Sequence, residues 1–243
     1  MSEPMGIFRI DLEIENPLHA GRRQLVPGAL VDTGAESSWV PSPILESLGI
    51  ERRKTMRFRQ ANGEILERWV GPASFYVAGI WTIDEVVFAE PTDLTALLEG
   101  LAEEIRQRHG LPEDAIRIDR RQPLPALGDA TELGLVFRNL LENAVKYSEP
   151  PVEVRVHLED ADSRVRAEIS DRGIGIEPRE LRKIFQRFYR AGRDVQRTAV
   201  GLGLGLFIVR NLVRRQGGRV VARSEGYGAG SRFVVTLRTP EHA

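Results

Sequence analysis

The chain contains no cysteine. That absence excludes disulfide staples, thiolate zinc sites and cysteine nucleophiles. It also has no apolar run near the roughly twenty residues needed to cross a bilayer. The opening "MSEPMGIFRIDLEIE" lacks the basic stretch followed by an apolar core that marks a secretory leader, so the sequence predicts a soluble, cytoplasmic chain. Net charge is equally scarce. A formal value of -1 gives no basic footprint for nucleic acid and no polybasic patch for anionic lipid, so neither is expected as a partner. The residual charge is uneven, with the first ninety residues mildly acidic and the remainder mildly basic, which suits an anionic ligand in the second half. What is present is ordinary for a globular protein: 42% apolar and 28% charged residues, enough to bury a core. At 243 residues the chain exceeds the commonest domain size of roughly 100–150, and the motifs favour two domains.

Residues 1 to 91 read as an all-β domain with small helical additions. "IFRIDLEIE" alternates with period two, "RQLVPGALVD" is a strand that stops at Asp32, and "SPILESLGI" is a short helix closed by Gly49. "MRFRQANGEILERWV" is a hairpin whose Asn62-Gly63 pair tolerates the positive φ of a type I′ turn. "ASFYVAGIWTIDEVVFAEP" reads as one more strand pair turning near Gly79. The period changes at "PTDLTALLEGLAEEIRQRHGLP", where Leu94, Leu97, Leu98, Leu101 and Ile105 fall at helical intervals between a Thr92 or Asp93 cap and Gly110. A strand at "AIRID", a helix over about 130 to 148 and strands at "VEVRVHL" and "RVRAEIS" follow. Helices at "PRELRKIFQRFY" and "LGLFIVRNLVRRQ" and strands at "RVVARSE" and "RFVVTLR" complete residues 92 to 243 as an α+β domain.

Asp129, with Glu132 three residues later, has the spacing of a capping box at the head of the 130–148 helix. Leu133, Val136, Phe137, Leu140, Leu141 and Ala144 form its buried stripe. Asn139, Asn143, Lys146 and Tyr147 share another face. Two amides, an ammonium and a phenol there suit a hydrated magnesium ion, phosphate oxygens and a flat base; a solvated face is the plain alternative. In "ISDRGIGI" a strand ends in Asp171, an acceptor for an exocyclic amine, and Gly173 and Gly175 let the backbone approach a ligand. In "GLGLGLFIV", Gly201, Gly203 and Gly205 lead into a helix whose free N–H groups favour an anion. The order is wrong for a dinucleotide fold, which places its glycines after the first strand.

"FRNLLENAVKYS", "DRGIGI", "IFQRFYR" and "GLGLGLFIV", in this order, resemble the N, G1, F and G2 boxes of the histidine-kinase ATPase domain of the GHKL superfamily. The resemblance runs from about residue 93 to the C-terminus and implies an α/β sandwich of the Bergerat type that binds ATP with magnesium under a lid. It makes Asn143 the magnesium ligand, brings Asn139 and Lys146 to the phosphates and packs Tyr147 on the adenine. Asp171 takes the adenine amine, with Gly173 and Gly175 shaping the base pocket. Phe185 and Phe188 anchor the lid, Arg187 reaches the γ-phosphate, and Gly201, Leu202, Gly203, Leu204 and Gly205 cradle the phosphates. Ser231 and Phe233 in "GAGSRFVVTL" fit the family's last glycine motif. The resemblance breaks at the phosphoacceptor, for which the family writes His-Glu-(Leu or Phe)-Arg-(Thr or Asn)-Pro. None of His19, His109, His157 and His242 has that context. The expectation is a kinase-type transferase whose histidine comes from a partner protein.

"ALVDTGAESSWV" places Asp32, Thr33 and Gly34 at the end of an apolar strand, about thirty residues before the hairpin tip. That arrangement resembles the retropepsin-like aspartic proteases. It implies a half-barrel in which Asp32 is the catalytic acid/base, Thr33 and Gly34 fix its loop, the hairpin is a flap, and a homodimer supplies the second aspartate. The family's closing apolar-apolar-Gly segment and last strand are missing, because "DLTALLEGLAEEI" reads as the opening helix of the next domain. The sequence therefore reads as a fusion of a truncated protease-like domain to an ATPase domain, joined near Pro91. A peptidase regulated by the ATPase half, or a non-enzymatic nucleotide-gated binding protein, are the other expectations.

Overall fold

In the computed structural model, residues 7–32, 37–59, 65–161, 163–190 and 203–240 are described. Contacts divide the chain into two compact units, Met1–Pro91 with Pro240–Ala243 and Thr92–Thr239. Among the described residues no helix is long and apolar enough to cross a membrane.

The first unit is built on β1 (Ile7–Glu15), β2 (Arg23–Asp32), β3 (Ser38–Pro41), helix α1 (Ser42–Ser47), β4 (Lys54–Arg59), β5 (Ile65–Val77) and β6 (Ile80–Ala89). The sheet order is β2-β1-β5-β6-β3, with β4 also paired to β5. All pairs are antiparallel except β3 with β6, so the unit is a mixed six-stranded sheet carrying one short helix. The β4–β5 hairpin forms as its alternation predicts, from Lys54↔Val70 to Arg59↔Ile65. Its Asn62-Gly63 tip lies outside the described residues. The two separate runs read from sequence on either side of Gly71-Pro72 are one strand, β5. Ala78 (φ 49) and Gly79 (φ 83) turn it into β6. Alternation puts Ile14, Ala73, Phe75, Val86 and Phe88 on one face, where Ile44, Leu45 and Leu48 of the α1 region cover them. Asn16 fixes the end of α1, its side-chain amide donating to the carbonyls of Leu48 (3.2 Å) and Gly49 (2.7 Å).

The second unit contains β7 (Thr92–Asp93), α2 (Leu94–His109), β8 (Ile116–Ile118), β9 (Pro125–Ala126), α3 (Ala130–Lys146), β10 (Val154–Ala161), β11 (Arg164–Asp171), α4 (Gly205–Arg215), β12 (Arg219–Arg223) and β13 (Ser231–Arg238). Its sheet runs β12-β13-β11-β10-β8, antiparallel except for β8 with β10. Helix α3 packs on β10 and β11 between α2 and α4. Leu133, Phe137, Leu140 and Leu141 are fully buried with Ile169, Val235 and Leu237. Each such side chain is worth about 1.5–3 kcal/mol of burial, so α3 is firmly anchored in the unit.

Asp93 caps α2, accepting from the N–H groups of Thr95 and Leu124, both at 3.0 Å. At α3 only half of the expected capping box forms. Asp129 accepts from Glu132 N–H at 2.9 Å, but the Glu132 carboxylate turns to Arg215 (3.0 Å) and the Gln216 amide, while Asp129 N–H donates to Gln216 Oε1 at 3.1 Å. Burial pushes the Glu132 carboxyl above its usual range, and the nearby Arg215 opposes that shift. The side chains that displaced the local box tie the start of α3 to the end of α4.

The helix expected at "PRELRKIFQRFY" is not one. Residues 178 to 188 form successive turns with bonds such as Glu180 N–H to Glu177, Lys183 to Glu180 and Gln186 to Lys183, each 2.8 Å. Ile184 and Phe185 do reach the core at the spacing that suggested a helix. The backbone then reverses at Phe188 (φ 61), whose N–H bonds Gly203 O at 3.1 Å. Packing of two apolar side chains overrode the local helical period.

Candidate functional site

Helix α3 presents Asn139, Asn143 and Tyr147 half-buried and Lys146 exposed, on the face away from its core stripe. Asn139 Nδ2 donates to Leu135 O at 2.8 Å. The Lys146 ammonium lies 5.5 Å from the centroid of the Tyr147 ring. Tyr147 is the C-cap of α3, and its carbonyl accepts from Ile174 N–H at 3.0 Å, locking the helix end to the loop after β11.

That loop is shaped around Asp171. The register pairs Asp171 with Ser231 of β13. Asp171 Oδ1 accepts from Gly173 N–H (2.8 Å) and Ser231 N–H (3.1 Å), and Oδ2 accepts from Ser231 Oγ (2.5 Å). A carboxylate offers about four acceptor positions, so three protein donors leave one on Oδ2. The glycines here are demanded by space. A Cβ on Gly173 would sit 2.2 Å from Tyr147 O, and one on Gly175 (φ +73) would sit 1.9 Å from Gly226 O.

Leu204, the N-cap of α4, makes no side-chain cap bond, so among the described residues no capping side chain takes up the first N–H groups of the helix. Gly205 lies so close to α3 that a Cβ would meet Asn139 Oδ1 at 2.7 Å. Gly203 has φ +69, and Leu204 precedes the first turn. Gly201 and Leu202 lie outside the described residues.

These groups line one cavity of about 370 Å³. It brings together Asn139, Asn143, Lys146, Tyr147, Asp171, Gly175, Gly203, Leu204 and Gly205. Gly173 stands behind it, against Tyr147. Phe185 is in the core, edge-on to Phe233 with centroids 6.4 Å apart. Arg187 and Phe188 do not line the cavity. The Arg187 guanidinium stacks 4.8 Å over the Phe188 ring, which is 61% exposed. Sequence reasoning missed Glu180 and Tyr189, which line it as a pair: Tyr189 OH donates to Glu180 Oε1 at 3.0 Å. Burial first, then that bond, raises the Tyr189 phenol above its usual value. Tyr189 falls inside the stretch "IFQRFYR" but is given no role there, Glu180 lies outside it, and the turns of 178 to 188 bring the two together. Among the described residues no three His, Asp or Glu side chains cluster as a metal site, so any ion here would rely on amide, phosphate and water oxygens. In the first unit Asp32 ends β2 opposite Ile7, while Thr33 and Gly34 lie outside the described residues.

Residues 128–241 match the family described as "Histidine kinase-, DNA gyrase B-, and HSP90-like ATPase". The solved structure of the mycobacterial sensor histidine kinase MprB aligns over 62% of this chain and 97% of its own, with 30% identity and a TM-score of 0.53. The chain belongs to this ATPase family. A further relative is the signal transduction histidine-protein kinase BaeS of Escherichia coli (strain K12), 31% identical over 150 residues. That match covers 62% of this chain and 32% of BaeS, so the chain spans about a third of this curated relative. The full-length kinase ShkA, solved in complex with AMPPNP, is 32% identical with a TM-score of 0.50, over 62% of this chain and 32% of ShkA. The α+β histidine-kinase ATPase fold is thus that of the second unit, within which the whole cavity lies.

Proposed function

We propose that the second unit is an ATP-binding catalytic module of a histidine-kinase-type phosphotransferase, working in the cytoplasm with a partner protein that supplies the phosphoacceptor histidine. One observation carries this reading. A single cavity has a carboxylate with one open acceptor position at one end and an uncapped, glycine-led helix N-terminus at the other, with two amides and an ammonium between them.

Asp171 takes the amine of adenine on its open position, and Tyr147 packs against the base. The α4 N–H groups, with Gly203, Leu204 and Gly205, receive phosphate oxygens, as helix N-termini commonly do. Gly201 and Leu202, outside the described residues, are assigned the same role by the sequence motif alone. Asn139 and Lys146 reach the phosphates from α3, Lys146 matching their charge. Asn143 is the protein's oxygen ligand for magnesium, which when bound neutralises phosphate charge and holds the phosphates in one geometry. Arg187, released from Phe188, is the group assigned to the γ-phosphate, with Phe185 and Phe188 anchoring the segment between. Asn143→Ala is expected to abolish the magnesium-dependent part of ATP affinity, roughly tenfold or more, while magnesium-free binding stays near wild type. Equal magnesium dependence in the two proteins would reject Asn143 as ligand.

A second reading concerns the first unit and is favoured by Asp32 standing at a strand end ahead of a hairpin. In it, two copies pair and Asp32, with Thr33 and Gly34 beside it in sequence, forms a retropepsin-like aspartic peptidase as a homodimer. Casein cleavage at acid pH that vanishes in Asp32→Asn is the expected result. Cleavage equal in the variant would dismiss it.

A further inference from the structure

The two faces of the second unit's sheet differ in chemistry. Val156, Ile169, Phe233 and Val235 are buried in the core with the helices. Alternation sends their neighbours to the other face. There the registers Arg117↔Arg155, Arg155↔Ser170, Ser170↔Arg232 and Arg232↔Arg223 put these side chains in one row across β8, β10, β11, β13 and β12. All four arginines are exposed.

Charge compensation divides this face. Arg117, at the β8 end of the row, pairs with Asp114 at 3.0 Å. On one side of the row Arg172 pairs with Glu153 at 3.0 Å. On the other side His157 pairs with Asp119, and Arg166 lies 2.7 Å from Glu168 and 3.5 Å from Glu159. The carboxylates flanking the row are therefore already engaged by other cations. Among the described residues no carboxylate pairs with Arg155, Arg223 or Arg232, the exposed Glu225 beyond the end of β12 included. Arg223 and Arg232 stand directly opposite each other in an antiparallel pair, where like charges destabilise a sheet. Three uncompensated guanidinium groups in a line add nothing to the core, and a bound anion would relieve their repulsion.

The planar guanidinium fork matches a carboxylate with two parallel hydrogen bonds. Arg155 and Arg223 are three strand spacings apart, about 14 Å. An extended segment with acidic residues at alternate positions repeats at about 7 Å, so three of its carboxylates cover the same span. Nucleic acid and a bilayer fit less well. Carboxylates hem the row on both sides, and among the described residues none of the exposed large apolar side chains lies on these strands to meet bases or lipid. We propose that the arginine row docks an acidic segment of a partner polypeptide, laid across the strands with its carboxylates on Arg155, Arg232 and Arg223. Asp171 and Ser231, the next residues on β11 and β13, line the cavity on the reverse side, so the docked segment leaves that cavity open.

The test is fluorescence anisotropy of the full chain with a labelled, amidated Ala-Glu-Ala-Glu-Ala-Glu-Ala peptide, with its Gln counterpart and a short oligothymidylate for comparison. Saturable binding of the Glu peptide is expected, at least about tenfold tighter than that of the Gln peptide and weakened by added salt. Arg223→Gln combined with Arg232→Gln should weaken it at least about fivefold, with a melting temperature no lower than wild type because a like-charge pair is removed. Arg155→Gln, on another strand, should weaken it on its own and decides the matter if the double variant is unstable. Absence of saturable binding of the Glu peptide, equal binding of the two peptides, or binding unchanged in these variants overturns the proposal. An oligothymidylate bound tighter than the Glu peptide overturns the assignment to an acidic polypeptide.

Discussion

Replacing Asp171 by Asn is expected to weaken ATP binding by roughly thirty- to hundredfold, or about 2–3 kcal/mol, while leaving the fold in place. Three protein donors converge on this carboxylate, from Gly173, from Ser231 N–H and from Ser231 Oγ. An amide oxygen at Oδ1 keeps the two backbone bonds, and an amide nitrogen at Oδ2 finds an acceptor in Ser231 Oγ. What disappears is the remaining acceptor position on Oδ2, where a donor would now face the donor of the adenine amine. The same change should narrow the preference for ATP over GTP, because guanine offers a carbonyl where adenine has its amine. That readout separates recognition from mere loosening of the loop. A variant with wild-type affinity and wild-type base preference would mean that Asp171 does not read the base.

The second large effect is expected at Gly175. Gly175→Ala places a methyl 1.9 Å from Gly226 O at φ +73, where an L side chain is already disfavoured. The left-handed backbone alone costs about 1–2 kcal/mol, and relieving the clash requires the loop after β11 or the Gly226 turn to move. Loss of about 2–4 kcal/mol in stability and at least roughly tenfold in ATP affinity is expected, read by urea denaturation and titration. Gly228→Ala is the matched control. It shares a positive φ (77) but has no heavy atom within 4 Å of an added Cβ, so it should show the strain without the clash. Equal losses in the two variants would show that close packing at Gly175 is unimportant.

Much of this was legible in the sequence because periodicity reports burial directly. The strands Ile7–Glu15 and Arg23–Asp32, the hairpin pairing and helices α2, α3 and α4 fall where alternation, caps and glycines place them. Signals that depend on distant residues were not legible. Gln216 replaced Glu132 as the partner of Asp129 N–H across the fold, and no local spacing reveals that exchange. β3 was missed because four residues, two of them exposed, carry no alternation worth reading, and only its parallel seat beside β6 makes it a strand. The period of residues 178 to 189 was real, yet it reported which side chains are buried rather than a helix. Within the site, Asn139, Asn143, Asp171 and the glycines could be named because each sits on a legible strand end or helix face. The Glu180–Tyr189 pair, and Ser231 as a donor to Asp171, needed the turns and the β11–β13 register.

The most direct measurement is calorimetric titration of the full chain with ATP, with and without magnesium, alongside Asp171→Asn. The account predicts one saturable site per chain, tighter with magnesium and at least roughly thirtyfold weaker in the variant. Failure of the wild-type chain to bind ATP under either condition would contradict it.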